Sequence, residues 1–383
     1  MNVAGLFAGI GGIELGFAEA GFECALLCEN WAPAEAVLAS RFPSVEKHGD
    51  ITTLADLPGE ACLLTAGFPC QDLSQAGMAK GITGRRSGLV SHVFRLVDRS
   101  AIPTVVLENV PFMLQLDSGR AMSVLVKAFE ERGYRWAYRI INTLSFLPQR
   151  RERVFFVASK GDFDPCDILF TDDSAFPEMS TSLATHAHGF YWTEGTRGLG
   201  WAVDAIPTLK NGSTVGIPSP PAILLPDGRI IKPDIRDAER LQGFEENWTA
   251  PAEAAGRSSL RWSLVGNAVS VPVASWLAGR FSANTRYACD RDRPMPTARR
   301  WPHAARFDGS RVSMVDIGKF PVHRTRPPLH QFLRHEGSML SERATRGFLS
   351  RADASSLRFV PGFKDRVRAH LRSMEHAVLS AAE

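Results

Sequence analysis

Four side chains in the first half of the sequence have the types and spacing that covalent chemistry requires. Cys70 follows Pro69 directly after an apolar segment, and a thiol that is fixed and exposed in this way can act as a nucleophile in its thiolate form. Glu108 ends another apolar segment and can hold a proton, while Arg151 and Arg153 can bind anions. An isolated cysteine is more often an inert buried thiol, but a nucleophile, a carboxylate and arginines together indicate an active site.

A second cluster favours a cofactor that carries a nucleoside. The run LFAGIGG, from Leu6 to Gly12, contains glycines that allow a tight turn and a close approach of the backbone to a ligand. Glu29 and Asn30 end the next apolar segment about 20 residues later, where a carboxylate commonly accepts hydrogen bonds from a ribose, and Asp50 ends a third segment. The glycine run alone also fits an ordinary turn, but the polar strand ends favour the cofactor interpretation.

These side chains need a sheet that gathers the ends of several strands at one edge. The first 160 residues alternate short apolar runs with helix-like segments, which is the pattern of a parallel sheet flanked by helices, an α/β fold. The strands are predicted at residues 3–7, 23–28, 62–66, 104–107 and 154–158. The helices are predicted at residues 13–20, 32–40, 120–132 and 269–281.

Length and composition indicate a globular protein with more than one domain. The chain has 383 residues, of which 44% are hydrophobic and 22% charged, which excludes disorder throughout and fibrous architectures. The net charge of +3 has two unequal parts. Residues 285–383 hold 19 Lys and Arg against 10 Asp and Glu, a charge of +9, whereas the preceding 284 residues carry −6. The sequence thus predicts a mildly acidic body and a basic C-terminal segment.

Cysteine usage and hydropathy point to a reducing compartment. The six cysteines form no Cys-x-x-Cys pair, which argues against a disulfide framework and a zinc ribbon, and the pair His186 and His188 has no further ligand near it in the sequence. The apolar N-terminus carries Glu14 and Glu19, which argues against a signal peptide, and no run of 18 apolar residues exists. We expect a cytoplasmic protein without a metal and without membrane contact.

Six sequence blocks, in this order and spacing, resemble the cytosine-C5 DNA methyltransferase family. The resemblance extends over about residues 3–280. It implies a Rossmann-like S-adenosylmethionine-dependent methyltransferase fold with an inserted small target-recognition domain and a C-terminal extension. The blocks are FAGIGG, PCQ, ENV, QRRER, RLQGF from Arg240 and GNAVSVPV from Gly266.

The resemblance also implies domain boundaries. Residues 1–160 would form the catalytic domain, completed by residues 263–283, with a helix that returns to the first strand. Residues 161–262 would form the target-recognition region, and residues 284–383 the basic extension. The extension ends in a helix-like pattern with one apolar stripe from Phe363 to Val378. Its positive charge suggests additional contact with the DNA backbone, and a helix docked on the body is the alternative.

The implied reaction is transfer of a methyl group from S-adenosylmethionine to C5 of a flipped-out cytosine in a specific duplex DNA sequence, with S-adenosylhomocysteine as product. Cys70 would add to C6 of the base, Glu108 would hold the Watson–Crick edge of the cytosine, and Arg151 and Arg153 would hold the base or its phosphate. Two alternatives remain open at this point. They are an RNA cytosine methyltransferase of the same fold, as in the tRNA-modifying branch, and a catalytically silent DNA-binding regulator.

Residue-by-residue comparison with the family assigns a cofactor set and, in the recognition region, the pair Thr208 and Leu209. Arg197 and Lys210 join that pair as hydrogen-bond donors of the kind that major-groove readout needs. The family usually has an acidic residue where Gly5 stands, and often a bulky or acidic one at Asn30, so cofactor affinity depends on both positions. The cofactor set is Phe7, Gly9, Gly11, Glu29, Asn30, Asp50, Ile51, Phe68, Leu89 and Asn267. The DNA-recognition set is Arg197, Thr208, Leu209 and Lys210.

The compact size suggests a bacterial or phage modification enzyme of a restriction-modification system. Its expected partner is double-stranded DNA, and a cognate restriction endonuclease would act separately. We expect a monomer in the bacterial cytoplasm, associated with the nucleoid.

Overall fold

The computed structural model describes residues 1–68, 88–176, 179–211, 220–296 and 300–380. These residues form two compact units. Unit 1 comprises Met1–Ser145, Glu152–Ala175 and Ala268–His323. Unit 2 comprises Phe146–Arg151, Phe176–Asn267 and Arg324–Glu383. Both units are therefore assembled from segments that are distant in the sequence.

Unit 1 is built on a ten-stranded mixed sheet with the strand order β14-β16-β15-β6-β8-β5-β4-β1-β2-β3. The five strands from β3 to β5 run parallel, and β8, β6 and β14–β16 continue the sheet antiparallel. The order reverses beside β1, which is where open α/β sheets bind ligands. The strands are β1 Asn2–Leu6, β2 Glu23–Cys28, β3 Glu46–His48, β4 Ala61–Ala66, β5 Thr104–Asn109, β6 Arg135–Asn142, β8 Glu152–Ser159, β14 Asp292–Arg293, β15 Ala304–Phe307 and β16 Val312–Val315.

Helices cover this sheet with their apolar faces. One of them, α3 (Val90–Ser100), buries five apolar side chains on one face and packs into the core of unit 1. Gly16 of α1 allows a close approach of α8, since a Cβ there would lie 2.6 Å from Cβ of Ala274. The helices of unit 1 are α1 Gly12–Glu19, α2 Ala32–Arg41, α3, α4 Arg120–Glu130, α5 Pro165–Leu169 and α8 Val271–Arg280.

The five predicted strands and four predicted helices are present with shifts of one or two residues at their ends. The predicted α/β fold class is confirmed. Strand β6 was not predicted because its sequence, RWAYRIIN, contains two arginines. Arg139 is fully buried there, and its guanidinium donates to the carbonyls of Gly318, Leu169 and Asp172 and to the Asp173 carboxylate. These acceptors compensate for the loss of hydration that otherwise keeps arginine at the surface.

Unit 2 contains a five-stranded antiparallel sheet of short strands, in the order β10-β9-β12-β13-β17, and a two-stranded ladder of β11 with β7. Two apolar clusters form its core. The strands are β7 Gln149–Arg150, β9 His188–Phe190, β10 Ala202–Val203, β11 Ile206–Pro207, β12 Ala222–Leu224, β13 Ile230–Lys232 and β17 Ser338–Met339. The helices are α6 Ile235–Arg240, α7 Leu260–Asn267, α9 Leu329–Phe332, α10 Glu342–Asp353 and α11 Phe363–Ser380.

The C-terminal segment does not form a unit of its own. Its residues up to His323 belong to unit 1, where they supply β14–β16, and its remainder belongs to unit 2, with β17 and α9–α11. Phe363 and Val367 of the predicted apolar stripe are fully buried, so the docked-helix alternative describes α11. An apolar stripe is buried wherever a complementary core is available, and both units offer one.

Several cations of this segment pair with acids from earlier in the chain. Within unit 1, Arg286 pairs with Asp167 at 2.7 Å, Arg291 with Asp173 at 3.0 Å and Lys319 with Glu152 at 3.0 Å. Within unit 2, Arg326 pairs with Asp204 at 3.1 Å. Part of the +9 charge therefore meets part of the −6 charge inside each unit. Across the described ranges, no helix combines the length and the apolar character that crossing a membrane requires.

Candidate active site

The turn between β1 and α1 has the backbone that a glycine-rich ligand loop needs. Phe7, Gly9 and Gly11 have positive φ values of 53°, 57° and 79°. At Gly11 a Cβ would lie 2.4 Å from Cε2 of Phe42, so a side chain is excluded there. At Gly9 nothing described lies within 4 Å of a Cβ position. The backbone at Gly9 is thus open to close approach by a ligand.

Glu29 at the end of β2 holds this turn in place. Its Oε2 accepts a hydrogen bond from the Gly9 amide at 2.8 Å, and its Oε1 accepts from the amides of Asn30 at 3.0 Å and Trp31 at 2.9 Å. A carboxylate offers about four acceptor sites, so these three bonds leave room for a ribose hydroxyl. Glu29 therefore serves the backbone as well as the ligand that the sequence predicts for it.

The other predicted cofactor residues divide into exposed and buried ones. Asn30 and Asp50 are exposed, and the Thr52 amide, which donates to Asp50 Oδ1 at 2.8 Å, lowers the pKa of that carboxyl. Ile51 and Phe68 are 5% and 3% exposed and belong to the core of unit 1. Leu89 packs against the same core. Asn267 is exposed and ends the second of the three segments of unit 2.

A buried ion pair, Glu108 with Arg153, lies at the ends of two neighbouring antiparallel strands. Glu108 on β5 forms an ion pair with Arg153 on β8, with Oε1 2.9 Å from Nε, and both side chains are largely buried. Burial lowers the pKa of Arg153, and the Glu108 carboxylate opposes that shift. The Oε2 atom of Glu108 lies 3.7 Å from a Cβ position on Gly67, the residue after β4. Strand ends from β4, β5 and β8 therefore meet at one place, as the sequence predicts.

Asn109, beside Glu108, anchors the chain that leads to the predicted nucleophile. Its Nδ2 donates to the carbonyl of Phe68 at 2.9 Å, and its Oδ1 accepts from the amide of Val110 at 2.8 Å. Asn109 is 5% exposed, so both bonds are shielded from water. The predicted nucleophile, Cys70, lies outside the described residues.

Arg151 has a different environment from Arg153. It is 1% exposed and belongs to unit 2, where Nη1 donates to the carbonyls of Leu209 at 3.0 Å and Gly266 at 3.2 Å. A Cβ on Gly266 would lie 2.4 Å from the carbonyl carbon of Lys210, so the segment that contains Leu209 packs directly on α7. The sequence grouped Arg151 with substrate-binding residues, whereas here its guanidinium contacts main-chain carbonyls. A buried guanidinium needs acceptors, and these two carbonyls supply them for Nη1 and Nη2.

The predicted recognition residues occupy two loops of unit 2. Thr208 donates from Oγ1 to the Arg150 carbonyl at 2.8 Å, and Leu209 is 3% exposed in the core, so its apolar side chain supports the loop from inside. Lys210 is exposed and pairs with Glu194. Arg197 is exposed in the other loop. Two cations, Lys210 and Arg197, are therefore presented to solvent.

One functional feature that the sequence reasoning missed is the buried carboxyl of Glu14. Its Oε1 accepts from Oγ1 of Thr65 at 2.8 Å, and burial raises the pKa of Glu14 to about 7. A Cβ on Gly5 would lie 2.3 Å from that same Oε1. The Glu14 carboxyl, which enters from α1, thus fills the space that a side chain at position 5 would need. The signal was present in the sequence as a lost acid at Gly5 together with an acid on a buried helical face.

Comparisons with known proteins agree with this geometry. The sequence model described as C-5 cytosine-specific DNA methylase matches residues 1–188. A protein named Type II methyltransferase M2.BsuMI, from Bacillus subtilis strain 168, is 44% identical over 366 residues, which cover 92% of this chain and 93% of that protein. The chain belongs to the C-5 cytosine-specific DNA methylase family. The predicted family and activity are confirmed: the methylase transfers a methyl group to C5 of cytosine in DNA, and the methyl donor of its family is S-adenosylmethionine.

Two more distant proteins share most of this methylase. Type II methyltransferase M.NlaX from Neisseria lactamica is 28% identical over 324 residues, which cover 76% of this chain and 99% of that protein. The structure of the Entamoeba histolytica methyltransferase EhMeth aligns with a TM-score of 0.51 at 14% identity and covers 73% of this chain and 97% of that one. At that identity the second likeness supports the fold alone.

Proposed function

We propose that this methylase modifies one cytosine within a specific duplex DNA sequence and that Cys70, Glu108 and Arg153 carry the chemistry. The observation that carries the proposal is the Glu108–Arg153 pair at the end of β5, 3.7 Å from the Cβ position of Gly67. Gly67 stands three residues before Cys70 in the sequence. A nucleophile on this loop and a carboxylate at this strand end can act on the same base.

In the proposed reaction the Cys70 thiolate adds to C6 of a cytosine that has been rotated out of the duplex. The C5–C6 double bond opens, and its electrons make C5 nucleophilic. When bound, S-adenosylmethionine supplies the electrophilic methyl group. C5 forms a bond to this methyl carbon. Loss of the C5 proton to a base from solvent then re-forms the C5–C6 double bond and expels the Cys70 sulfur from C6 as a thiolate. The Cys70 thiolate is therefore regenerated, and the cytosine differs from the starting base only by its new methyl group.

Glu108 and Arg153 have different proposed roles at the Watson–Crick edge of the cytosine. The Glu108 carboxyl would hydrogen-bond N3 and the exocyclic amine of the cytosine, so that a proton shared with N3 balances the charge that builds up during addition. Arg153 fixes Oε1 of that carboxylate at 2.9 Å and thereby orients it toward the base. Because the pair is largely buried, a displaced water shell need not be reorganised during the reaction.

The turn after β1 fits S-adenosylmethionine. The open backbone at Gly9 and the remaining acceptor capacity of Glu29 suit a nucleoside, and Phe68, Ile51 and Leu89 offer apolar surface. We further propose Asn30, Asp50 and Asn267 as polar contacts of the same cofactor. In this proposal the buried carboxyl of Glu14 supports the turn from below and does not touch the ligand.

Residues 161–262 are proposed as the target-recognition region, with Arg197, Thr208 and Lys210 as its DNA-facing members. Arg151 is proposed as a positioning residue for that region, because its guanidinium holds the carbonyls of Leu209 and Gly266. The Type II name of the relative that covers 92% of the chain supports a role as the modification enzyme of a restriction-modification system. A separately acting endonuclease, a monomeric state and a location at the bacterial nucleoid are part of the same proposal.

Duplex DNA that contains 5-fluorocytosine tests the covalent step, since its C5 substituent cannot be lost as a proton. Wild-type enzyme should form a complex that survives denaturing electrophoresis, and Cys70→Ser should not. Bisulfite sequencing of plasmid DNA incubated with the enzyme should show one methylated sequence context. Labelled methyl transfer to tRNA but not to duplex DNA would instead favour the RNA alternative, and transfer to neither would contradict the proposal.

A further inference from the structure

A C-terminal arginine fastens one of the two recognition loops of unit 2. Arg351 on α10 donates from Nη2 to the carbonyl of Trp192 at 2.7 Å and from Nε to the carbonyl of Glu194 at 3.0 Å. The chain turns back just beyond, where the Gly195 amide donates to the Gly198 carbonyl at 2.9 Å. Two bonds from one planar guanidinium fix the direction of this backbone as well as its distance from α10.

The same loop holds one of the proposed DNA-facing cations. The Glu194 carboxylate, through Oε1, lies 2.5 Å from Nζ of Lys210, and this ammonium also stands 4.0 Å from the centre of the Tyr191 ring. Glu194 is thus held by Arg351 through its carbonyl and holds Lys210 through its carboxylate. Displacement of the loop would move the Lys210 ammonium with it.

Close packing links the loop to α10 beneath it. Gly195 has a φ of 117°, and a Cβ there would lie 3.2 Å from Cε2 of Phe348. Phe348 is fully buried, and its ring centre lies 5.1 Å from that of Phe190 at the end of β9. The backbone at Gly195 therefore lies close to the Phe348 ring, and the bonds from Arg351 fix the position of the loop on α10.

We propose that Arg351 is a positioning residue for DNA sequence recognition, which acts through Glu194 on Lys210. The inference rests on the proposed recognition role of Lys210 and Arg197. It assigns to the C-terminal segment an effect on specificity that requires no contact with DNA.

The test is the substitution Arg351→Met, which keeps the length of the side chain and removes both bonds. The KM for a duplex with the recognised site should rise by about tenfold, the effect of losing charge-assisted hydrogen bonds, while kcat at saturating DNA stays within about twofold. Bisulfite sequencing of a random-sequence library should show methylation spreading to related sites. Arg351→Lys can restore one of the two bonds and should recover part of the preference.

Arg343 provides the matched control, because it is an exposed arginine on the same helix and its side chain pairs with no other residue in the described part of the chain. Arg343→Met should keep the wild-type KM and site spectrum. An Arg351→Met enzyme with an unchanged KM and site spectrum would overturn the inference. If the wild-type enzyme itself shows no methylated context, the proposed function has failed and not the role of Arg351.

A second variant keeps the inference testable if Arg351→Met does not fold, as judged by its thermal unfolding curve. Glu194→Gln removes the ion pair with Lys210 and leaves α10 intact. It should broaden the site spectrum in the same direction, and an unchanged spectrum would overturn the coupling. If both single variants fold, the double variant should resemble either one, because both act on the same contact chain. If the effects of the two substitutions on KM add up in the double variant, Arg351 and Glu194 do not act through the same series of contacts.

Discussion

The proposed chemical site and the proposed recognition loops are positioned by different kinds of interaction. In unit 1, Glu108 and Arg153 lie at the ends of paired strands, and the ladder of the ten-stranded sheet places them. In unit 2 the strands have two or three residues, and the loops are held by side chains that donate to carbonyls far away in the sequence. Substitution of a site residue in unit 1 should therefore change the rate of the reaction, whereas substitution of a loop-holding residue in unit 2 should change the position of a recognition loop.

Removal of the C-terminal segment should have the largest effect on stability. The segment contributes strands or helices to both units, so its loss should unfold both and abolish the difference between them. Deletion of residues 285–383 removes β14–β16 from the large sheet and takes Phe348, Phe363 and Val367 from the core of unit 2. Each buried Phe or Val contributes about 1.5–3 kcal/mol, against a typical total stability of about 5–15 kcal/mol. We expect no cooperative thermal transition by circular dichroism.

A chain that ends at Ser380 is the control for this deletion, because it keeps every described strand and helix. Its melting temperature should equal that of the wild type. A protein that ends at residue 284 and still melts cooperatively near the wild-type temperature would show that the segment is an appendage, as the sequence alone suggested.

Arg153 and Arg151 allow a direct comparison of the two units, because they are two residues apart in the sequence. Arg153 contacts the carboxylate of the proposed chemical site, whereas Arg151 contacts the main chain of unit 2. Arg153→Met leaves Glu108 without its 2.9 Å partner and should lower kcat by about 10²- to 10³-fold, the effect of removing one oriented polar group from a reaction centre. Arg151→Met leaves the carbonyls of Leu209 and Gly266 unpaired and should cost about 2–3 kcal/mol of unfolding free energy. Steady-state kinetics and urea unfolding separate the two outcomes, and equal effects on kcat would abolish the distinction.

Glu14 makes a prediction about pH in unit 1. Its pKa is raised from 4.5 to about 7 in the folded state, so the folded protein holds a proton that the unfolded chain has lost between those pH values. Stability from this group is present below pH 4.5 and declines as the pH rises toward 7, by up to about 3 kcal/mol. Glu14→Gln should remove that decline in urea unfolding measured from pH 5 to pH 7.5. Parallel pH profiles for variant and wild type would contradict the assignment.

Arg197 should give the smallest effect, because it is an exposed cation on a loop. Arg197→Gln should weaken DNA binding a few-fold and reduce the slope of log affinity against log salt by about 0.9, the value for one phosphate contact. Fluorescence anisotropy at several salt concentrations measures this slope. An unchanged slope together with altered site preference would instead indicate that Arg197 contacts a base.

The sequence was sufficient to predict the sheet edge but not the loops. One predicted strand ends in Glu108-Asn109, and another follows the arginine run that contains Arg153. Because the rules of strand pairing allow few sheet topologies, these two residues are expected at the same edge of the sheet. The run QRRER does not reveal that Arg151 turns into the core, since that depends on carbonyls about 60 and 115 residues away. The partners of Arg351 are equally remote in the sequence. Long-range contacts of side chains with the backbone leave no periodic signal.

Charge was also predicted only in part. The split into −6 and +9 was visible by counting, and the expected use of the positive segment was DNA binding. The structure pairs Arg286, Arg291, Lys319 and Arg326 with acids of the same unit. Complementary charge between sequence segments is as compatible with folding as with an external anion, and counting cannot distinguish the two. Contact of the remaining cations with DNA stays a prediction.

The close contact between Gly5 and Glu14 constrains which residues these two positions can hold together. The space beside Gly5 is filled by the Glu14 carboxyl, which enters from the helix, and a Cβ on Gly5 would lie 2.3 Å from its Oε1. In this chain an acidic side chain at position 5 would crowd the Glu14 carboxyl, and loss of Glu14 alone would leave the Thr65 hydroxyl without the acceptor that it has here. The two positions are expected to covary, and a graft of either residue alone into a related methylase should be poorly tolerated.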